Sequence, residues 1–235
     1  MWSPDVYEGA PTPFTAFLSV ASNAAGAAIM IRFFFPGVSR MVAGGDWAFV
    51  SGVEWPQVLL FVSMITMTVG NLCALNQKNL KRMLAYSTIG HMGFLLLGIL
   101  SGDLVGYGAS MFYVVVYVLM NLGAFGMILL LSRAGFEAEN LDDFKGLNQR
   151  SPWYAFLMLL LMFSMAGVPP TVGFYAKLAV LQAIISVGAW WSIPLAVWAV
   201  LFSLIGAYYY LRLVKLMYFD APVDTAPIAP RLDVR

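Results

Sequence analysis

Five stretches of this sequence, about 14–35, 56–77, 83–100, 104–132 and 193–217, are each long and apolar enough to cross a bilayer as one helix. A spanning helix needs about 20 predominantly apolar residues. A sixth stretch, about 153–187, is too long for one straight helix and is interrupted at Val168-Pro169-Pro170. Only 11% of residues are charged and 61% are hydrophobic, against roughly a quarter charged in soluble domains. The mean hydropathy is +0.80. These features specify an all-α polytopic membrane protein in contact with the lipid bilayer.

Several chemistries are excluded. The net charge of +1 leaves no footprint for nucleic acid. Cys73 is the lone cysteine and His91 the lone histidine, so no Cys/His cluster can hold a metal or an iron–sulfur centre. There is no GxGxxG and no phosphate loop. Any redox reaction therefore resides in other chains. The start, MWSPDVYEGAPTPFTAF, is not a signal peptide, because it lacks a basic segment followed by an apolar core. It reads like the interior of a longer protein.

Charge placement decides how 153–187 crosses. One basic cluster is Lys78, Lys81 and Arg82, and another is Arg212 and Lys215. A single crossing puts both on one side, and two crossings put them on opposite sides. The cytoplasmic excess of Lys and Arg favours one crossing, as a discontinuous helix. The mixed-charge connection 133–152, with Arg133, Glu137, Glu139, Asp142, Asp143, Lys145 and Arg150, then shares that side. The expectation is about six crossings.

A broken helix leaves backbone groups unpaired, which lipid tolerates only where protein or water satisfies them. In transporters such breaks mark ion paths; the alternative is a proline kink between packed helices. Lys177 follows Pro169 and Pro170 within the same apolar run. A lysine at depth needs hydration or a partner, unless it snorkels to an interface. Lys81, Thr88 and His91 share one broad helical face, about 15 Å long at 1.5 Å per residue. They read as half of a proton wire, or as an interfacial cation and a histidine bonded within the bundle. Tyr113, Tyr117 and Asn121 recur every four residues and order water in the bundle core, or else the tyrosines mark a membrane interface and the asparagine bonds across helices. Asn23 is a deep amide that needs partners. Tyr208, Tyr209, Tyr210, Arg212 and Lys215 read as an interfacial belt.

Three segments carry a resemblance: MWSPDVYEGAPTPFTAFLSVAS, NLKRMLAYSTIGHMGFLLLG, and AGVPPTVGFYAKLAVLQ followed by AYYYLRLVKLMYF. Over essentially the whole chain they resemble the subunit N family of bacterial NADH-quinone oxidoreductase, the respiratory complex I. The wider group includes sister complex I subunits and subunits of multi-component Na⁺/H⁺ antiporters. The resemblance implies an antiporter-like fold of two inverted five-helix repeats, each with a discontinuous helix. On this reading residues 1–13 hold the end of a truncated broken helix and a loop. Residues 14–35 are the last helix of the first repeat, 56–217 the second repeat, and 218–235 a polar tail.

The resemblance also implies proton translocation coupled to NADH oxidation and quinone reduction. Lys177 matches the family's lysine in the second broken helix, Lys81 the lysine of the NLKR motif, and His91 the polar position of the same helix. Asn23 stands where the family usually has lysine. Tyr113, Tyr117 and Asn121 replace the His, His and Lys of sister subunits, and with Thr88 they would line water. NADH, FMN, iron–sulfur clusters and quinone would belong to the complex, with no cofactor or metal in this chain. The partners would be other complex I membrane subunits, in the bacterial inner membrane. The alternatives are a Na⁺/H⁺ antiporter subunit and a non-conducting structural subunit.

Overall fold

The computed structural model describes residues 2–34, 55–132 and 138–222. Arg133, Glu137 and the tail from residue 223 lie outside the described residues. Helices dominate the described residues: α1 Ser3–Gly9, α2 Thr12–Arg32, α3 Trp55–Leu75, α4 Leu80–Leu100 and α5 Leu104–Leu131. A 3₁₀ turn, Leu141–Phe144, precedes α6 Leu147–Arg150, α7 Pro152–Ala166, α8 Val172–Ser186 and α9 Ser192–Phe219.

Helices α2, α3, α4, α5 and α9 are each long and apolar enough to cross a membrane. Helices α7 and α8 have 15 residues each. At 1.5 Å per residue each is about 22 Å long, short of a hydrocarbon core of roughly 30 Å. In succession, across the break at 167–171, they make a sixth crossing. Leu141 N donates to the Lys78 carbonyl (2.9 Å) and Gly146 N to the Leu216 carbonyl (3.0 Å). Arg212 Nη1 donates to the Leu75 carbonyl (3.4 Å). Both basic clusters and the 139–147 connection therefore share one end of the bundle, as the charge placement requires of a single crossing.

The helix ends at the bundle faces are capped locally. Asn79 Oδ1 accepts from Arg82 N (3.0 Å) at the start of α4, and Asp103 Oδ1 from Gly106 N (2.8 Å) at the start of α5. Pro152 opens α7, where a missing N–H costs nothing. The break within the membrane is also satisfied. Gly167 ends α7 at φ +80°, Thr171 Oγ1 donates to the Val168 carbonyl (2.7 Å), and Gly173 N donates to Ser164 Oγ (3.1 Å). Pro169 and Pro170 occupy this break and are exposed.

Helix α4 is the centre of the bundle, buried along nearly its whole length. It packs on α3, α5, α8 and α1, while α7 packs on α9 and α5. A Cβ on Gly70 would lie 2.5 Å from Gly90 N, so α3 and α4 meet backbone to backbone there. That approach presses the neighbouring Asn71 into the interior. Met67, Leu97, Phe125, Met158, Val180 and Leu213 fill the apolar core. Outward-facing Phe61, Leu119, Leu201 and Leu204 are exposed, as acyl chains require. One departure from regular helix lies in α2, where Leu18–Ser22 form a π-helical turn directly before Asn23.

Candidate functional site

Lys177 lies on α8 and is buried, and its ammonium reaches back to the end of α7. Nζ donates to the Met165 carbonyl (3.0 Å), the Ala166 carbonyl (2.8 Å) and Ser203 Oγ (2.8 Å). These three bonds use every donor of an ammonium. Two of the acceptors are terminal carbonyls of α7, where the helix dipole is negative and a cation is favoured. The Phe94 ring lies beneath, with Nζ 5.5 Å from its centroid. Gly167 is required twice: its φ is +80°, and a Cβ there would lie 2.8 Å from Lys177 Cδ. The helix break and the lysine are thus one structure.

A second cluster of polar side chains is centred on α4. His91 Nδ1 pairs with the Tyr113 hydroxyl (2.6 Å) and Nε2 with the Tyr210 hydroxyl (3.1 Å). Tyr210 also meets Ser87 Oγ. Thr88 Oγ1 pairs with the Tyr117 hydroxyl (2.6 Å), which also accepts from Asn121 Nδ2 (3.0 Å). Tyr209 donates to Asn71 Oδ1 (3.1 Å). His91, Ser87, Asn71, Tyr210, Lys177 and Ser203 share a small cavity, with about 10 Å³ open to the centre of a water-sized sphere. A single water needs about that much. The lysine and the histidine network therefore face one space large enough for one water.

Lys81 is buried at the start of α4, beside Glu139, and donates to the Ala10 carbonyl (3.1 Å). Glu139 also accepts from Asn79 Nδ2 (3.2 Å). Arg82 pairs with Glu8 (2.5 Å) and Asp5 (3.0 Å) of α1. Asn23, half-buried, donates to the Ser19 carbonyl (2.7 Å) and is close enough to the Tyr7 and Tyr117 hydroxyls to interact with both. Tyr117 thus lies near the α2 amide and is bonded to Thr88 and Asn121.

Residues 1–203 match the sequence profile of the family described as NADH:quinone oxidoreductase/Mrp antiporter, transmembrane. The chain belongs to the NADH:quinone oxidoreductase/Mrp antiporter family. NADH-quinone oxidoreductase subunit N of Thiobacillus denitrificans is 61% identical over 235 residues, covering 100% of this chain and 46% of the relative. This member of the oxidoreductase/antiporter family thus spans about half the length of the curated relatives it matches. Respiratory complex I of Thermus thermophilus superposes with a TM-score of 0.78 at 31% identity, covering 97% of this chain and 46% of the matched one. An Mrp complex from a Dietzia species superposes at 0.65 with 26% identity, covering 73% and 32%.

In this family member the interfacial-belt reading of α9 is corrected. Tyr208 is exposed, but Tyr209 and Tyr210 are 2% and 1% exposed and bonded inside the bundle. Asn71 and Ser203 also escaped the sequence reading. A single amide or serine within an apolar run signals only that a partner is needed, and theirs come from other helices. The snorkelling alternative for Lys177 also fails, since its ammonium is bonded within the bundle. Among the described residues no cluster of metal-ligating side chains occurs.

Proposed function

We propose that this chain is a proton-translocating membrane-arm subunit of a bacterial NADH:quinone oxidoreductase, working with other membrane subunits of that complex in the inner membrane. The observation that carries the reading is Lys177, a buried ammonium on a broken helix, sharing a one-water cavity with the His91–Tyr210–Ser87 network. A lysine can release its proton where an arginine cannot, and a histidine flanked by hydroxyls can pass one on. Residues 56–217 supply a complete repeat around this path, and Asn23, Thr88, Tyr113, Tyr117 and Asn121 extend it as hydroxyl and amide contacts. Lys81, paired with Glu139, forms its other end. Electron transfer and its cofactors belong to other subunits.

Two variants test this in the assembled complex. Lys177→Ala removes the exchanging group, and Lys177→Arg keeps the charge and donors but cannot release a proton. Both should lower protons translocated per NADH oxidised. Undiminished pumping in Lys177→Arg would sink the exchange role. The likeness to the Mrp complex motivates a second reading, a Na⁺/H⁺ antiporter subunit. Co-purification with an NADH-oxidising partner separates the two, and the 61% identity to an oxidoreductase subunit supports the first.

A further inference from the structure

Lys177 has a second face. A cleft of about 330 Å³ runs from its side chain to the surface between α8 and α9, beside the break in the sixth crossing. Gly167, Phe174, Leu204 and Phe94 wall it, and Lys177 and Ser203 close its inner end. Leu204 on its rim is exposed. Its volume falls in the roughly 300–1,000 Å³ range of small-molecule sites, which likewise combine apolar walls with a few placed polar groups. Phe94, Lys177 and Ser203 line both this cleft and the one-water cavity facing His91. The Lys177–Ser203 bond is therefore a partition between a polar space and an apolar one. Among the described residues no carboxylate pairs with Lys177, so the cation is balanced only by neutral oxygens.

We infer that this cleft is a binding site for a single-chain amphiphilic carboxylate, a long-chain fatty acid entering from the bilayer. Its alkyl chain lies against Phe174 and Leu204, and its carboxylate takes the place of Ser203 Oγ on Lys177 Nζ. The charge selects an anion. A neutral ester cannot supply the missing counter-charge, and an alkylamine brings a like charge into a desolvated site. Occupancy draws the ammonium away from the His91 cavity, so the bound acid slows proton transfer. That last consequence rests on the function proposed above; the binding does not.

The test uses native membranes carrying the full gene product in its complex and a diazirine-bearing palmitate as photolabel, with the labelled peptides mapped. Labelling is expected within 166–181 and 200–207, displaced by palmitate and about tenfold less readily by methyl palmitate or hexadecylamine, the factor for one charge-assisted bond. Leu204→Trp, at an exposed rim position, should block labelling in an otherwise intact complex, and Lys177→Leu should erase the preference for the acid. Displacement by the ester as effective as by the acid overturns the proposal, because the cleft is then merely greasy. So does labelling that avoids these two segments or persists in Leu204→Trp. Labelling is scored without reference to pumping, so a failure of the proton role leaves this result readable.

Discussion

At the scale of single residues, the site depends on groups whose partners are all made within the protein. Tyr210 illustrates this: one hydroxyl serves both His91 Nε2 and Ser87. Tyr210→Phe keeps the ring and removes that bridge. It should cost about 1–3 kcal/mol of stability, since buried partners are left unpaired, and lower proton translocation more than NADH oxidation; paired assays of the two rates check this. Gly167→Ala meets both a left-handed backbone and the Lys177 Cδ. A loss of about 1–2 kcal/mol from the backbone alone is expected, read as a lowered midpoint for thermal inactivation. Glu139→Gln removes the charge beside buried Lys81. Glu139 keeps 26% of its side chain exposed, so the loss should fall below the roughly 3–5 kcal/mol of a fully buried pair. A wild-type inactivation midpoint would reject it.

At the scale of elements, close helix contact fixes where polar groups point. The Gly70–Gly90 crossing sets Asn71 against Tyr209. Gly70→Val should force α3 and α4 apart and reduce the assembled subunit in membranes several-fold, measured by quantitative immunoblotting; Ala28→Val, on a part of α2 less tightly packed, is the control. The helices themselves were legible in advance. The expected runs 56–77 and 104–132 became Trp55–Leu75 and Leu104–Leu131, because spanning length and apolarity are one-dimensional properties. The rotation of each helix about its axis is not. Asn71, Ser203, Tyr209 and Tyr210 converge from α3 and α9 on α4, and no spacing within one helix encodes that meeting. The candidate residues on α4 and α5 were legible because each polar stripe lies on a single helix.

At the scale of the whole molecule, the charge placement and the hydrogen bonds place 75–82, 139–147 and 212–220 at one end of the bundle, with 187–191 at the other. In a background lacking Cys73, cysteines at Lys78 and Lys215 should react with an impermeant thiol reagent from one side of sealed vesicles, and a cysteine at Ala189 from the other. Reaction of the cysteines at 78 and 189 from one side and of that at 215 from the other would refute the single crossing of α7 and α8. The seat of Lys177 adds a consequence for the molecule as a machine. An ammonium has three hydrogens, and here each answers one oxygen; a neutral amine has two. Every proton that leaves therefore abandons an oxygen, and in two cases of three that oxygen is the ragged end of α7. Proton occupancy is thereby written into the fit between two half-helices. In a bundle built this way, removing one of those hydrogens would loosen the joint between α7 and α8 at Lys177.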